Sequence, residues 1–179
     1  MSISKSIRES MNNSSWIRQM FEAGASLKAQ YGIENVFDFS LGNPILEPPK
    51  QVHDQLKLLL KRNDPGMHRY MPNAGFEKTR EFIANTMRDE TGYPFSFDDI
   101  VMCVGAGGGL NVVFKALLDE GDEVLALAPY FAEYGAYVQN HGGRLILAKT
   151  NIDFQIDLDS IERNISNKTK IVIINSPNN

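Results

Sequence analysis

The run Gly105-Ala106-Gly107-Gly108-Gly109 follows the apolar stretch Ile100-Val101-Met102-Cys103-Val104 and opens a helix-like segment that reaches Leu118. Four glycines in five residues remove the Cβ atoms that would hold a ligand away from the backbone. The first turn of the following helix offers N–H donors without intrahelical acceptors and the positive end of the helix dipole. A phosphate would sit there without a lysine. The same residues could instead form a tight strand-to-helix connection with no ligand. Two common phosphate motifs do not fit. Counted from Gly105, the dinucleotide pattern Gly-x-Gly-x-x-Gly meets Leu110 where its third glycine belongs, and no Gly-Lys-Ser/Thr of a Walker loop occurs.

Other reactive side chains form no recognisable constellation. His53, His68 and His141 are isolated, outside any His-x-x-x-His or Cys-x-x-Cys spacing, so no metal site is expected. Cys103 is the single cysteine, which excludes an internal disulfide and suits the cytoplasm; its place in an apolar run predicts packing. The pairs Asp89-Glu90, Asp98-Asp99 and Asp122-Glu123 fall at element ends and read as solvated turns.

Two downstream segments narrow the chemistry of the glycine turn. After Leu117-Leu118-Asp119-Glu120-Gly121-Asp122-Glu123-Val124 comes Ala128-Pro129-Tyr130-Phe131-Ala132-Glu133-Tyr134, and the chain closes on Ile171-Val172-Ile173-Ile174-Asn175-Ser176-Pro177-Asn178-Asn179. Upstream stand Phe39-Ser40-Leu41-Gly42-Asn43-Pro44 and Arg69-Tyr70-Met71-Pro72-Asn73-Ala74-Gly75. In this order and spacing the chain from about Phe37 onward closely resembles the class I/II aminotransferases, which are fold type I enzymes dependent on pyridoxal 5'-phosphate.

That resemblance implies an α/β fold, a mainly parallel sheet covered by helices, and a role for each matched residue. The backbone of Gly105, Ala106 and Gly107 matches the cofactor's phosphate cradle. The family often has a polar side chain at the Gly107 or Gly108 position, whereas here only backbone is left to grip. Phe131 matches the aromatic residue that stacks on the pyridine ring; alternatively Phe131 and Tyr134 form an i, i+3 core pair. Asn179 matches the asparagine that hydrogen-bonds the phenolic oxygen, while Asn175 and Asn178 are assigned to the surrounding turn. Tyr70 matches a tyrosine that reaches the neighbouring subunit's cofactor phosphate, which implies a homodimer; its alternative is to anchor an exposed loop. Gly42 matches the glycine facing the substrate's α-carboxylate, or is a plain turn glycine.

The resemblance further implies three segments: residues 1–36 as an N-terminal helical arm, 37–75 as a connecting segment of the small domain with an interface loop, and 76–179 as the first half of the large cofactor domain. The family's Schiff-base lysine, its aspartate for the pyridine nitrogen and its substrate-carboxylate arginine match nothing up to Asn179. The 179 residues by themselves are therefore expected to be inactive, and no catalytic residue is assigned within them. The complete protein is expected to move an amino group from an amino acid to a 2-oxo acid. A non-catalytic interaction subunit and a nucleotide-binding module built on the same glycine turn are the alternatives.

Composition bounds these readings. At 179 residues, 42% hydrophobic and 22% charged, the chain is long enough for one sizeable core. A net charge of −4 leaves no basic field for nucleic acid. No apolar run approaches the ~18 residues of a membrane span.

The elements that must position the site are readable from periodicity. A helical stripe of Trp16, Ile17, Met20, Phe21 and Leu27 ends near Gly32 and is expected to face a core. A short strand is expected over Val36–Ser40. A helix starts at Pro49 with Val52, Leu56, Leu59 and Leu60 on one face, and another runs from about Phe76 to a stop at Gly92. Four β-like runs then alternate with helical segments: Ile100–Val104, Glu123–Ala128, Arg144–Ala148 and Lys170–Asn175. Such alternation predicts a parallel sheet.

Overall fold

The computed structural model describes residues 3–5, 7–8, 16–39, 42 and 44–178, with the side chains of residues 16–18 excepted. The chain divides into two compact units, Met1–His68 and Arg69–Asn179.

In the first unit, α1 spans Trp16–Tyr31 and stops at Gly32, whose φ of 86° is costly for any residue with a Cβ. A 3-10 turn at Ile33–Asn35 turns the chain, and of the strand expected over Val36–Ser40, residues 36–39 form none, while Ser40 lies outside the described residues. A 2.6 Å Lys28–Asp38 ion pair ties this segment back to α1. Of the expected core-facing stripe on α1, Met20, Phe21 and Leu27 are all exposed, while the side chains of Trp16 and Ile17 lie outside the described residues. The helix α2, Lys50–Lys61, begins one residue after the expected start at Pro49 and has no buried residue. Periodicity located both helices correctly, but an apolar face is buried only where another element packs on it.

The second unit holds the core. Its first helix, α3 at Glu77–Thr91, ends at Gly92 in the left-handed conformation, the predicted stop. After a 3-10 turn at Phe97–Asp99, α4 spans Gly105–Leu117; then come β1 at Glu123–Ala128, α5 at Glu133–Asn140, β2 at Arg144–Lys149, α6 at Leu158–Asn164 and β3 at Thr169–Ile173. The strands form a parallel sheet in the order β2-β1-β3. The first four residues of the central strand are buried, with Val124 and Leu125 at 0% exposure, as the apolar run from Val124 onward requires. Phe114 from α4, Val138 from α5 and Val124 meet in one buried cluster.

The expected strand Ile100–Val104 is corrected by the structure. These residues join no strand among the described residues, and Val104 lies in a bend. Their polar contacts run elsewhere: the Met102 N–H donates to Ala74 O at 3.0 Å, and Arg80 Nε donates to Ile100 O at 2.8 Å. Ile100 is buried, whereas Val101, Val104 and Cys103 are exposed, so the cysteine is not the packing residue expected.

The turn before this segment carries a reciprocal cap. The Ser96 N–H and hydroxyl both donate to Asp99 Oδ2, at 2.8 and 2.9 Å, and these bonds hold the Asp99 carboxyl below the ordinary aspartate value. Because the folded-state value is depressed, the stabilising effect is present above the unfolded aspartate range and is lost as pH falls through the folded value. Ser96→Ala should move the Asp99 titration, followed by NMR of the side-chain carboxyl, back up toward that of an exposed aspartate. An unchanged titration would show that the cap does not act on this group.

Candidate functional site

The geometry of the site follows from element lengths. α4 has 13 residues and β1 has 6, so both are about 20 Å long, and only Leu118–Asp122 connects them. The helix must double back along the strand, which brings its N-terminus level with the strand's carboxyl end. In a parallel sheet the carboxyl ends of all strands lie on that same side, where loops of open α/β sheets form their ligand sites.

Three segments meet there. The first is the start of α4. Gly105 has a φ of 66°, and a Cβ added to it would meet nothing within 4 Å. Val104, the residue before the helix, makes no side-chain cap, so the first-turn N–H groups of Gly105, Ala106 and Gly107 have no acceptor from it. Gly105 and Ala106 are exposed and Gly107 is half-buried. The second segment is the loop from β1 to α5, which carries a cis Ala128-Pro129 bond and the half-buried Phe131. The Phe131 ring stands at 82° to Tyr134 with centroids 5.6 Å apart, so an edge-to-face contact fixes its orientation. The i, i+3 pairing of these rings is thus present, and such a contact engages only one part of each ring. The third segment follows β3. Asn178 Nδ2 donates to Pro129 O at 2.7 Å across 49 residues of sequence, tying this loop to that of Phe131. Asn178 therefore does more than satisfy its own turn.

Behind the cradle, Asn111 Nδ2 donates to Gly107 O at 2.8 Å, while Asn111 Oδ1 lies 3.0 Å from His141 Nε2. His141 thereby fixes the Asn111 amide, and through it one carbonyl of the glycine turn. Neither residue was singled out for the site from sequence; no periodicity links positions 30 apart. A separate cavity of about 300 Å³ lies between the ends of β1 and β3, lined by residues including Leu127, Thr150, Phe154 and Asn175, but by none of the glycine turn and not by Phe131.

Of the other expected site residues, Tyr70 is fully exposed at the start of the second unit. Gly42, in the first unit, is exposed, with nothing within 4 Å of an added Cβ. Asn179 lies outside the described residues. Among the described residues no group of three or more His, Cys, Asp or Glu could hold a metal ion, and no helix is long and apolar enough to cross a membrane.

The sequence profile of the family described as aminotransferase class I and II matches residues 34–179. The chain belongs to this family. A probable aspartate aminotransferase of Methanocaldococcus jannaschii is 31% identical over 163 residues, covering 91% of this chain and 40% of that protein. An aspartate/prephenate aminotransferase of Thermus thermophilus is 33% identical over 140 residues, covering 77% of this chain and 36% of that protein. The crystal structure of an aminotransferase from Eubacterium rectale superposes with a TM-score of 0.92 at 38% identity, covering all of this chain and 46% of that one. The chain thus spans about 40% of the length of the curated relatives it matches. Class I and II aminotransferases are pyridoxal-phosphate enzymes of the α/β type, so the expected family, fold and cofactor class are borne out.

The residues present fit the cofactor's phosphate. An uncapped first turn free of Cβ atoms at Gly105 and Gly107 is an anion cradle made of backbone alone. The requirement for a left-handed residue falls on Gly105 and not on Gly107. Gly105→Ala should therefore lower the stability of the protein by about 1–2 kcal/mol in chemical denaturation, through backbone strain alone, since its Cβ has open space. A neutral or stabilising effect would mean that this glycine is not held at positive φ.

Proposed function

We propose that the protein catalyses the pyridoxal-phosphate-dependent transfer of an amino group from an amino acid to a 2-oxo acid. One observation carries the reading: in a chain of the aminotransferase family, the uncapped first turn of α4 lies level with the carboxyl ends of the strands, where the loop bearing Phe131 begins. When bound, the cofactor supplies an electron-poor ring that takes up the electrons released as a substrate's Cα proton leaves. The chain's own residues bind and orient. The N–H groups of Gly105, Ala106 and Gly107 receive the phosphate, and the Phe131 ring, held by Tyr134, stacks on the pyridine. Asn179 donates to the phenolic oxygen, and Gly42 takes the family's substrate-facing role.

Relatives from Methanocaldococcus jannaschii and Pyrococcus abyssi are named for aspartate, which makes aspartate the amino donor to assay first. A homodimer and a cytoplasmic location belong to the same proposal. The protein expressed to the full length of its gene should bind pyridoxal phosphate saturably, with the absorbance change of the bound cofactor, and should convert aspartate and a 2-oxo acid to the exchanged pair. Saturable binding of a nucleotide with none of pyridoxal phosphate would replace this reading with that of a nucleotide-binding module.

Two variants test the assignments. Gly107→Val places a branched side chain at the cradle and should weaken cofactor affinity far more than it lowers the melting temperature of the cofactor-free protein. The reverse pattern would show that the glycine serves packing. Tyr70→Phe removes one hydroxyl donor to a partner subunit's cofactor phosphate and should cost about 1.5–3 kcal/mol of cofactor binding free energy. A fully active monomer would exclude the shared site.

A further inference from the structure

A hydroxyl group stands beside the first turn of α4 that the glycine run itself could not supply. Tyr137, on the second turn of α5, packs its ring against the buried cluster of Phe114, Val124 and Val138. Its Oη lies 3.0 Å from the point where a Cβ on Gly107 would be. Cα–Cβ bonds of a helix tilt toward its N-terminus, so that point lies on the side of Gly107 facing the open end of α4. Tyr137 is half-buried, and its hydroxyl makes no hydrogen bond among the described residues while its oxygen stays open to solvent, where a ligand can reach it. The glycine at 107 and the tyrosine at 137 are thus one arrangement: the missing Cβ leaves the space that the hydroxyl enters.

We infer that the Tyr137 hydroxyl donates a hydrogen bond to the cofactor's phosphate at the first turn of α4, adding a side-chain donor to an otherwise backbone cradle. The inference rests on the cofactor reading above. It assigns Tyr137 a binding role distinct from ring packing, because the oxygen comes nearest the turn, with Cζ and Cε2 behind it at 3.5 and 3.8 Å from the same point, while the ring is held by the core. The hydrogen bond would be charge-assisted, the stronger class. The Asn111 bond to Gly107 O and the His141 contact with Asn111 hold the helix face against which the hydroxyl is set.

The test uses the full-length protein stripped of cofactor and titrated separately with pyridoxal 5'-phosphate and with pyridoxal, which lacks the phosphate. Binding is followed by absorbance, the bound phosphate by its phosphorus NMR shift, and the cofactor-free protein by thermal melting. Tyr137→Phe keeps the ring and removes the oxygen. It should raise the Kd for pyridoxal phosphate on the order of tenfold, move the phosphorus shift, and leave pyridoxal affinity and melting unchanged. Adding Gly107→Ser in that background, where the space is free, should return part of the lost affinity by supplying a hydroxyl from the other side of the gap. Unchanged pyridoxal phosphate affinity in Tyr137→Phe, or an equal loss for both ligands, would overturn the inference and leave the cofactor reading standing. Absence of saturable pyridoxal phosphate binding by the wild-type protein would overturn both.

Discussion

Parallel pairing of β1 with both β2 and β3 is the constraint on which the rest of the second unit depends. It buries the centre of β1 on both faces, so the strand must be apolar from Val124 onward, and it forces every connection to cross the sheet through a helix. The crossover through α5 returns the chain to the start of β2, and the one through α6 to the start of β3. The loops leaving β1 and β3 therefore emerge at one end, where Asn178 can reach Pro129. The position of the candidate site is a consequence of strand direction before any chemistry is considered.

Hydrogen bonds at the other end close the arrangement. The Ser166 hydroxyl donates to the buried Glu123 carboxylate at 2.6 Å, and Glu123 N donates to Lys168 O at 2.8 Å. A carboxylate at 9% exposure needs such a partner, since an unpaired buried charge is costly. At the carboxyl end Thr150 donates to Ala128 O through both N and Oγ1. Both ends of the central strand are thus pinned by side chains from neighbouring connections, which keeps the loop bearing Phe131 in register with the end of β3.

How much of this was legible in the sequence depended on the range of the interaction. Gly92 and Pro49 mark helix limits because their effects are local, and the three strands are visible as short apolar runs between turn residues. Ile100–Val104 carries the same signal as those strands, but a strand exists only with a neighbour, and this segment's Met102 N–H finds Ala74 O instead. Met20, Phe21 and Leu27 have helical spacing and yet stay exposed, because spacing records a face and not what covers it. Of the residues proposed for the site, the glycine turn and Phe131 are nominated by type and order in the sequence. Tyr137, Asn111 and His141 are not, since what joins them to Gly107 is the packing of α5 on α4, which no local pattern encodes.

The glycine run itself separates fold from function. Glycine in a helix costs about 1 kcal/mol relative to alanine, so four of them in the opening of α4 weaken that helix substantially. Two of them have a distinct local setting. Gly105 adopts a positive φ, and Gly107 gives way to the Tyr137 hydroxyl. At Gly108 and Gly109 an added Cβ would make only ordinary contacts, 3.6 Å from Val104 Cβ and 3.9 Å from Cys103 Cβ, so packing does not require glycine there. Helix stability alone would favour alanine at both positions. What glycine adds is unhindered approach to the N–H groups of the first turn, a property that matters to a ligand at the open end of α4 and not to the core beneath it.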